Sequence, residues 1–323
     1  MSHSPEPTEH VFTERTLGAH RLAQYVSRNR CERYLRLALF PSEAKTLAAR
    51  YRVGFENLSP LLSESGQQFE RDQVAELGAR AEVRNLQNTS AAAFISALKS
   101  QGAGRRTFYY QPRLEGRIGG CSCEGYPDLV EIVRHEDKGG ASGDTVDVTV
   151  IDIKASRRET VGFRLQVAFY ARLLGDALRA ADLRPATFKG AIAARGSDLA
   201  PDRIEQFDLS LYLDEIEQLV AAADSDVSRA SARSFAEAPY HLGAHCDGCP
   251  YNALCFIDTA EREDLSLVPT ITATEKGALR RAGVTTAREL SRLMDYGKGA
   301  MSPAPGREAD VERIGACWPL GSR

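Results

Sequence analysis

Three short groups of residues in this chain carry chemistry, and they occur in order: Gly125-Tyr126-Pro127-Asp128, then Asp152-Ile153-Lys154, then Gln166 and Tyr170. The segment from Thr145 to Lys154 is rich in β-branched residues and reads as a strand. Residues two apart on a strand share a face, so Asp152 and Lys154 point the same way as Val146, Val148 and Val150. The strand thus runs from an apolar half into a polar end, where an unpaired acid or lysine would be costly to bury. Hydrolysis of a phosphodiester supplies a use for such an end. Two carboxylates can hold Mg²⁺ or Mn²⁺, which polarises the phosphate and lowers the pKa of a bound water. A lysine beside that water can orient it and neutralise charge developing on the phosphate. Gln166 and Tyr170 lie four apart, on one face of the following helix. Each piece alone has a plain reading: an Asp–Lys pair at a strand end is usually a surface ion pair, and Tyr170 lies close to an apolar stripe. The specific signal is the ordered set on strand, strand and helix.

The elements that must position these groups follow from periodicity and turn chemistry. Residues 11–40 read as helical, through Leu17, Tyr25, Leu35, Leu37 and Phe40, and Pro41-Ser42 ends them. Helices are expected at 61–80 and 90–100, the second capped by Thr89 or Ser90. Thr107 to Leu114 and Ile118 to Val133 read as strands with tight turns at Gly116 and Gly119-Gly120, and His135 to Asp144 reads as a surface turn. A helix over 160–180 carries Phe163, Val167, Tyr170 and Leu174 at helical spacing. Strands at 187–194 and 203–209 and a helix at 210–223 complete a mixed α/β core. Beyond it, Leu267 to Leu293 reads as two short helices around Ala282-Gly283-Val284, and the tail from Gly297 shows little periodicity.

With 323 residues, 43% of them hydrophobic, a net charge of −3 and a pI near 6.1, the composition is that of a soluble globular protein. It excludes a wholly basic nucleic-acid binder, but not DNA, because a carboxylate metal site offsets a basic groove in the total. No apolar run approaches the roughly 18–20 residues of a membrane span, and Met1 to His10 lacks the apolar segment of a secretory signal, so a cytoplasmic protein is expected. No phosphate-binding G-x-x-x-x-G-K-S/T loop is present, so no ATP motor is encoded. Lysine accounts for seven of the 41 basic residues, a bias that GC-rich coding explains. Seven cysteines in such a chain argue for metal ligation or packing rather than disulfides. Cys246, Cys249 and Cys255 are compactly spaced, and Cys31 stands far upstream. Four thiolates suit an iron–sulfur cluster or a structural zinc, and spacing alone does not separate the two. His241 and His245 flank the triplet as substitute ligands, Cys121 and Cys123 read as packing residues, and Cys317 has no evident partner.

These motifs resemble those of the RecB-type PD-(D/E)XK nucleases, which include the CRISPR-associated exonucleases and the AddB helicase–nuclease subunit, over about residues 15–258. The resemblance implies a restriction-endonuclease-like mixed sheet flanked by helices, with helical extensions clasped by an iron–sulfur cluster. Asp128 and Asp152 would then be metal ligands, Lys154 the catalytic lysine, and Gln166 and Tyr170 the subgroup's own mark. Relatives often place a histidine ligand in an upstream helix; here Glu70 occupies that position, the alternative being a solvated helix glutamate. The cluster ligands implied for a 4Fe-4S centre are Cys31, Cys246, Cys249 and Cys255, with Pro250 also fitting. The expected organisation is an N-terminal helical segment (11–60), a nuclease core (61–210), a helical and iron–sulfur segment (211–260), a helix–hairpin–helix-like unit (264–296) and a tail (297–323). Lacking a clear glycine-rich hairpin, the fourth segment has a small helical packing unit as its equal alternative. Arg28, Arg30, Arg33 and Arg36, with Tyr25 and Tyr34, and separately Arg157, Arg158 and Arg164, are candidate phosphate contacts, although basic helix faces are often merely solvated. The expected activity is Mg²⁺- or Mn²⁺-dependent hydrolysis of single-stranded or end-containing DNA, in repair, recombination or CRISPR-type processing, with a helicase or repair protein as partner. The rival is a non-catalytic DNA-binding scaffold subunit of a helicase–nuclease complex.

Overall fold

The computed structural model describes residues 16–55, 60–135, 144–157, 159–197, 199, 203–295 and 302–317. The chain divides into two compact units, one of residues 1–42 and 58–238, the other of residues 43–57 and 239–323.

The first unit opens with β1 (Leu17–Gly18), α1 (Ala19–Ser27) and α2 (Glu32–Leu39). After α3 (Pro41–Tyr51), most of which belongs to the second unit, it continues with α4 (Pro60–Gly78), β2 (Val83–Asn85), α5 (Ala91–Ser100), β3 (Arg106–Tyr110), β4 (Leu114–Ile118) and β5 (Cys121–Gly125). It ends with β6 (Leu129–Arg134), β7 (Thr145–Lys154), α6 (Val161–Ala180), β8 (Arg184–Ala194), β9 (Gln206–Asp208), α7 (Ser210–Ile216) and α8 (Asp226–Ala232). Six strands form a mixed sheet in the order β2-β3-β6-β7-β8-β9, in which β2 with β3 and β7 with β8 run parallel. A second sheet has the order β1-β5-β4. Parallel neighbours need a crossover, and α6 supplies it between β7 and β8, packing on both and on β4 and β5. Its start is fixed by Thr160, whose hydroxyl accepts from Phe163 N at 3.4 Å, as Ser90 does from Ala93 N at 3.2 Å for α5. On the other parity of β7, Ile151 and Ile153 join Phe108, Leu129 and Leu77 in a core against which Phe69 and Val74 of α4 pack.

Three local expectations are corrected. The helix expected over 11–40 breaks at Arg28–Arg30, where Asn29 and Arg30 adopt left-handed φ values of 55° and 52°, so Cys31 is the N-cap of α2. Tyr25, which donates to Asp226 at 2.6 Å, and Arg30, which pairs with Glu215, anchor the turn. Gly116 is not a turn but sits inside β4 opposite Cys123. An added Cβ there would meet Leu173 Cδ2 and Asp176 Oδ2 at 3.1 Å, so the missing side chain lets α6 approach. The turn at Gly119-Gly120 is present, with Gly119 at φ +57°. The tail, expected to be irregular, contains β11 and α12, described next. Its residues 297–301 and 318–323, together with residue 296, most of the 135–144 turn, and Arg158, lie outside the described residues.

The second unit contains α3, α9 (Asn252–Glu261), α10 (Ala273–Arg281), α11 (Ala287–Ser291), a β10 (Met294–Asp295)–β11 (Ser302–Pro303) pair and α12 (Glu308–Cys317). Leu265, Ile271, Leu279, Val284 and Leu293 form its core. Around the α10–α11 hairpin, Thr285 N and Thr286 N both donate to Glu289 Oε2, at 2.7 and 3.1 Å. The Glu289 carboxylate thus caps the first amides of α11.

Asp264 locks this unit. Its carboxylate lies 2.6 Å from Lys276 Nζ and 2.6 Å from Arg280, and it accepts from Ser266 N at 2.8 Å. Asp264 and Lys276 are only 2% and 3% exposed. Burial alone would raise the Asp264 pKa, but the bonds from Lys276 and Ser266 outweigh it and hold the group below its usual value. Its contribution is therefore present above the unfolded carboxyl pKa and lost as pH falls through the depressed folded one. Asp264→Ala, which removes the carboxylate facing the buried Lys276 ammonium, should cost about 3–5 kcal/mol in denaturant unfolding of this unit. The wild type's loss of stability on acidification below about pH 4 should be smaller in the variant; an equal loss would refute the assignment.

Candidate active site

The pairing of β6 with β7 sets the geometry. Leu129 lies opposite Ile151, which leaves Asp128 just before β6 and Asp152 near the end of β7. Asp128 Oδ2 accepts from Ile153 N at 2.6 Å, so the carboxylate takes the amide two residues beyond Ile151, the last residue of β7 paired with β6. Asp152 is fully buried. Its Oδ1 accepts from Gln166 Nε2 at 3.2 Å, and its Oδ2 lies 2.7 Å from Lys154 Nζ. Gln166 Nε2 also donates to Tyr170 OH at 3.0 Å. Strand parity and helical i,i+4 spacing therefore bring the sequence-predicted Asp152, Lys154, Gln166 and Tyr170 together, and chain pairing adds Asp128.

Gly125 is essential to this packing. A Cβ on it would stand 2.6 Å from Tyr170 Cδ1, so the tyrosine ring lies directly against the glycine backbone. Phe163 adds its ring 5.5 Å from Lys154 Nζ.

The electrostatics follow from burying like charges together. Burial, and then the Asp152 charge, hold the Asp128 carboxyl well above its usual pKa. Burial raises Asp152 as well, in spite of Lys154. For Lys154, burial works against the charge, but the Asp152 and Asp128 carboxylates outweigh it and the pKa rises. The lysine stays an ammonium.

Glu70 approaches from α4. Its Oε1 accepts from Gln111 Nε2 at 2.6 Å, and its charge acts on Asp128, Asp152 and Lys154. Burial, followed by Glu70, raises the Tyr110 hydroxyl pKa. Among the described residues no group of three or more His, Cys, Asp or Glu side chains is gathered closely enough to hold a metal ion. The Asp128–Asp152 pair nevertheless fits a hard divalent cation in kind. Both donors are carboxylate oxygens, and Asp152 Oδ2 is a buried acceptor that faces the Lys154 ammonium as an ion pair.

Residues 19–256 match the PD-(D/E)XK nuclease superfamily. The chain belongs to that superfamily. Its members are nucleases, hence hydrolases that bind nucleic acid, and they generally use divalent metal ions. A solved structure titled "Crystal structure of SSO0001" is similar at 15% identity and a TM-score of 0.30, covering 76% of this chain and 89% of that one. At that level of likeness it adds nothing to the assignment. No curated protein matches the sequence significantly. No helix among the described residues of this PD-(D/E)XK protein is long and apolar enough to cross a membrane.

Outside the carboxylate corner, the arginine cluster around Cys31 is largely structural. Arg33 is fully buried with its guanidinium 4.1 Å from the Phe235 ring, and Arg36 donates to Ser231 O at 2.7 Å. Arg164 pairs with Glu159 at 2.8 Å, whereas Arg157 is exposed. Cys121 and Cys123 are buried packing residues of β5. Cys31 belongs to the first unit and Cys246, Cys249 and Cys255 to the second, where Cys249 N donates to Cys246 O at 3.0 Å.

Sequence reasoning missed Gln111 and Tyr110, which hold Glu70, and His20. Burial lowers the His20 pKa, and the nearby Lys154 charge lowers it further. None of the three belongs to a motif with chemical spacing.

Gly125→Ala should destabilise the first unit by about 1–3 kcal/mol, the usual cost of overpacking, in denaturant unfolding. An unchanged midpoint would mean that Tyr170 can step aside without loss.

Proposed function

We propose that the protein is an Mg²⁺- or Mn²⁺-dependent deoxyribonuclease of the RecB type, cutting single-stranded or end-containing DNA. The observation that carries this reading is the acid–acid–lysine corner, with Asp128 against Asp152 and Lys154 Nζ 2.7 Å from the Asp152 carboxylate. A scaffold subunit would have no use for two acids and a lysine gathered at the end of one strand.

Asp128 and Asp152 would hold the metal, with Glu70 as third ligand once its carboxylate turns from Gln111. When bound, the ion would polarise the scissile phosphate and acidify a water. The chain's own groups do the rest. Lys154, kept charged by its carboxylate neighbours, orients the attacking water and offsets the charge that builds on the phosphate oxygens. Gln166 fixes the Asp152 rotamer, and Tyr170 fixes Gln166. Tyr126, 42% exposed between Gly125 and Asp128, offers a ring face on which an unpaired base can stack. Repair, recombination or CRISPR-type processing beside a helicase is the setting that the sequence resemblance implies.

Asp152→Ala and Lys154→Ala should each reduce cleavage of end-labelled DNA by at least about a hundredfold, with folding retained, and chelation of divalent ions should abolish cleavage in the wild type. Cleavage at the wild-type rate in either variant would remove the assignment.

The same reading extends to Cys31, Cys246, Cys249 and Cys255 as ligands of a structural 4Fe-4S cluster, supported by their order along the sequence and by their thiolate chemistry. Anaerobically prepared protein should contain iron and sulfide and be brown. Cys31→Ala should bleach it and lower its thermal midpoint, because ligation is coupled to folding, while Cys121→Ala should leave the colour unchanged. Stoichiometric zinc without iron would overturn the cluster and leave the nuclease reading standing.

A further inference from the structure

A cavity of about 610 Å³ adjoins the candidate site on the side of α4, lined by Glu70, Arg71, Asn85, Gln87, Tyr110 and Gln111. Val74 and Val83 add apolar wall. Its size lies within the range of about 300–1,000 Å³ in which proteins bind small molecular groups. Four primary amides, those of Gln67, Asn85, Gln87 and Gln111, dominate the polar lining, and each carries both donor and acceptor atoms. Arg71 and Glu70 cancel in charge. A phosphate would call for a net positive lining; paired donors and acceptors without net charge match the edge of a nucleobase.

The amides are wired to the carboxylate corner. Gln87 Nε2 donates to Gln111 Oε1 at 2.9 Å, and Gln111 Nε2 donates to Glu70 Oε1 at 2.6 Å. The Gln111 backbone N donates to Asp128 O at 3.0 Å. Gln111 itself holds φ at 45°, a left-handed conformation that a non-glycine residue keeps only under constraint. One residue thus touches the cavity, the Glu70 carboxylate and the Asp128 backbone.

We propose that this cavity is a subsite for one unpaired nucleobase of the strand being cut, adjacent to the scissile phosphate, with Gln111 as a positioning residue between that base and Glu70. The proposal rests on the nuclease reading above. It also gives a reason for a single-strand preference, since a paired base has its edge engaged.

The test pairs substrate and protein changes. Single-stranded DNA oligonucleotides carrying one abasic residue, moved stepwise past the cleaved bond, are cut by the wild-type chain and by the Asn85→Ala/Gln87→Ala variant, both positions being exposed. In the wild type, one position should lower kcat/KM about tenfold, through KM. In the variant, KM for the intact oligonucleotide should rise and that positional penalty should shrink below about twofold. A penalty of equal size in both proteins, or no position-specific penalty in the wild type, overturns the subsite while cleavage itself stands. Absence of cleavage by the wild-type chain overturns the nuclease reading and the subsite with it.

Discussion

Two carboxyl groups, one of them fully buried, share a corner, and the first unit is arranged around the cost of charge there. Asp152 has no exposed surface, and its charge raises the pKa of Asp128, which in turn hydrogen-bonds to Asp152 and favours the ionised form there. Three kinds of support hold the pair: the Lys154 ammonium, the Gln166 amide and the backbone amide of Ile153. Remove any of them and a buried charge loses its partner. The β6–β7 register, the start of α6 and the glycine at 125 all have to be what they are for these supports to arrive.

The strand β7 serves two faces at once. Its odd residues, Ile151 and Ile153, pack beneath α4 with Phe69 and Leu77, while its even residues meet α6 through Gln166. The candidate corner lies where the sheet ends and both layers come within reach. Glu70 can therefore come from one helix, and Gln166 and Tyr170 from another. The asymmetry between the layers is chemical: α4 offers a carboxylate held by Gln111, and α6 offers an amide and a phenol.

Much of this was legible in the sequence because it is periodic. The parity of Asp152 and Lys154, the i,i+4 spacing of Gln166 and Tyr170 and a cap at Ser90, one of two candidates, all depend on neighbours a few residues away. The illegible parts depend on distant partners. Residues 28–31 look helical, yet Tyr25 and Arg30 are held by Asp226 and Glu215, nearly two hundred residues on, and the helix breaks. Gly116 reads as a turn until the helix pressed against it is known. Gln111 binds a carboxylate 41 residues upstream, with no pattern to announce it. The helix α12 in the tail went unseen because its apolar contacts, Val311 and Ile314, are sparse and acquire meaning only against Leu279 and Leu293.

The hydrogen count of the Gln166 amide fixes a direction. An ionised carboxylate only accepts, so the nitrogen of Gln166, not its oxygen, must face Asp152. That nitrogen has two hydrogens; one goes to Asp152 and the other to the Tyr170 oxygen. The phenol is thereby made an acceptor on its inner side, and its own hydrogen points away from the amide. A ring buried against Gly125 is in this way left with one donor to give.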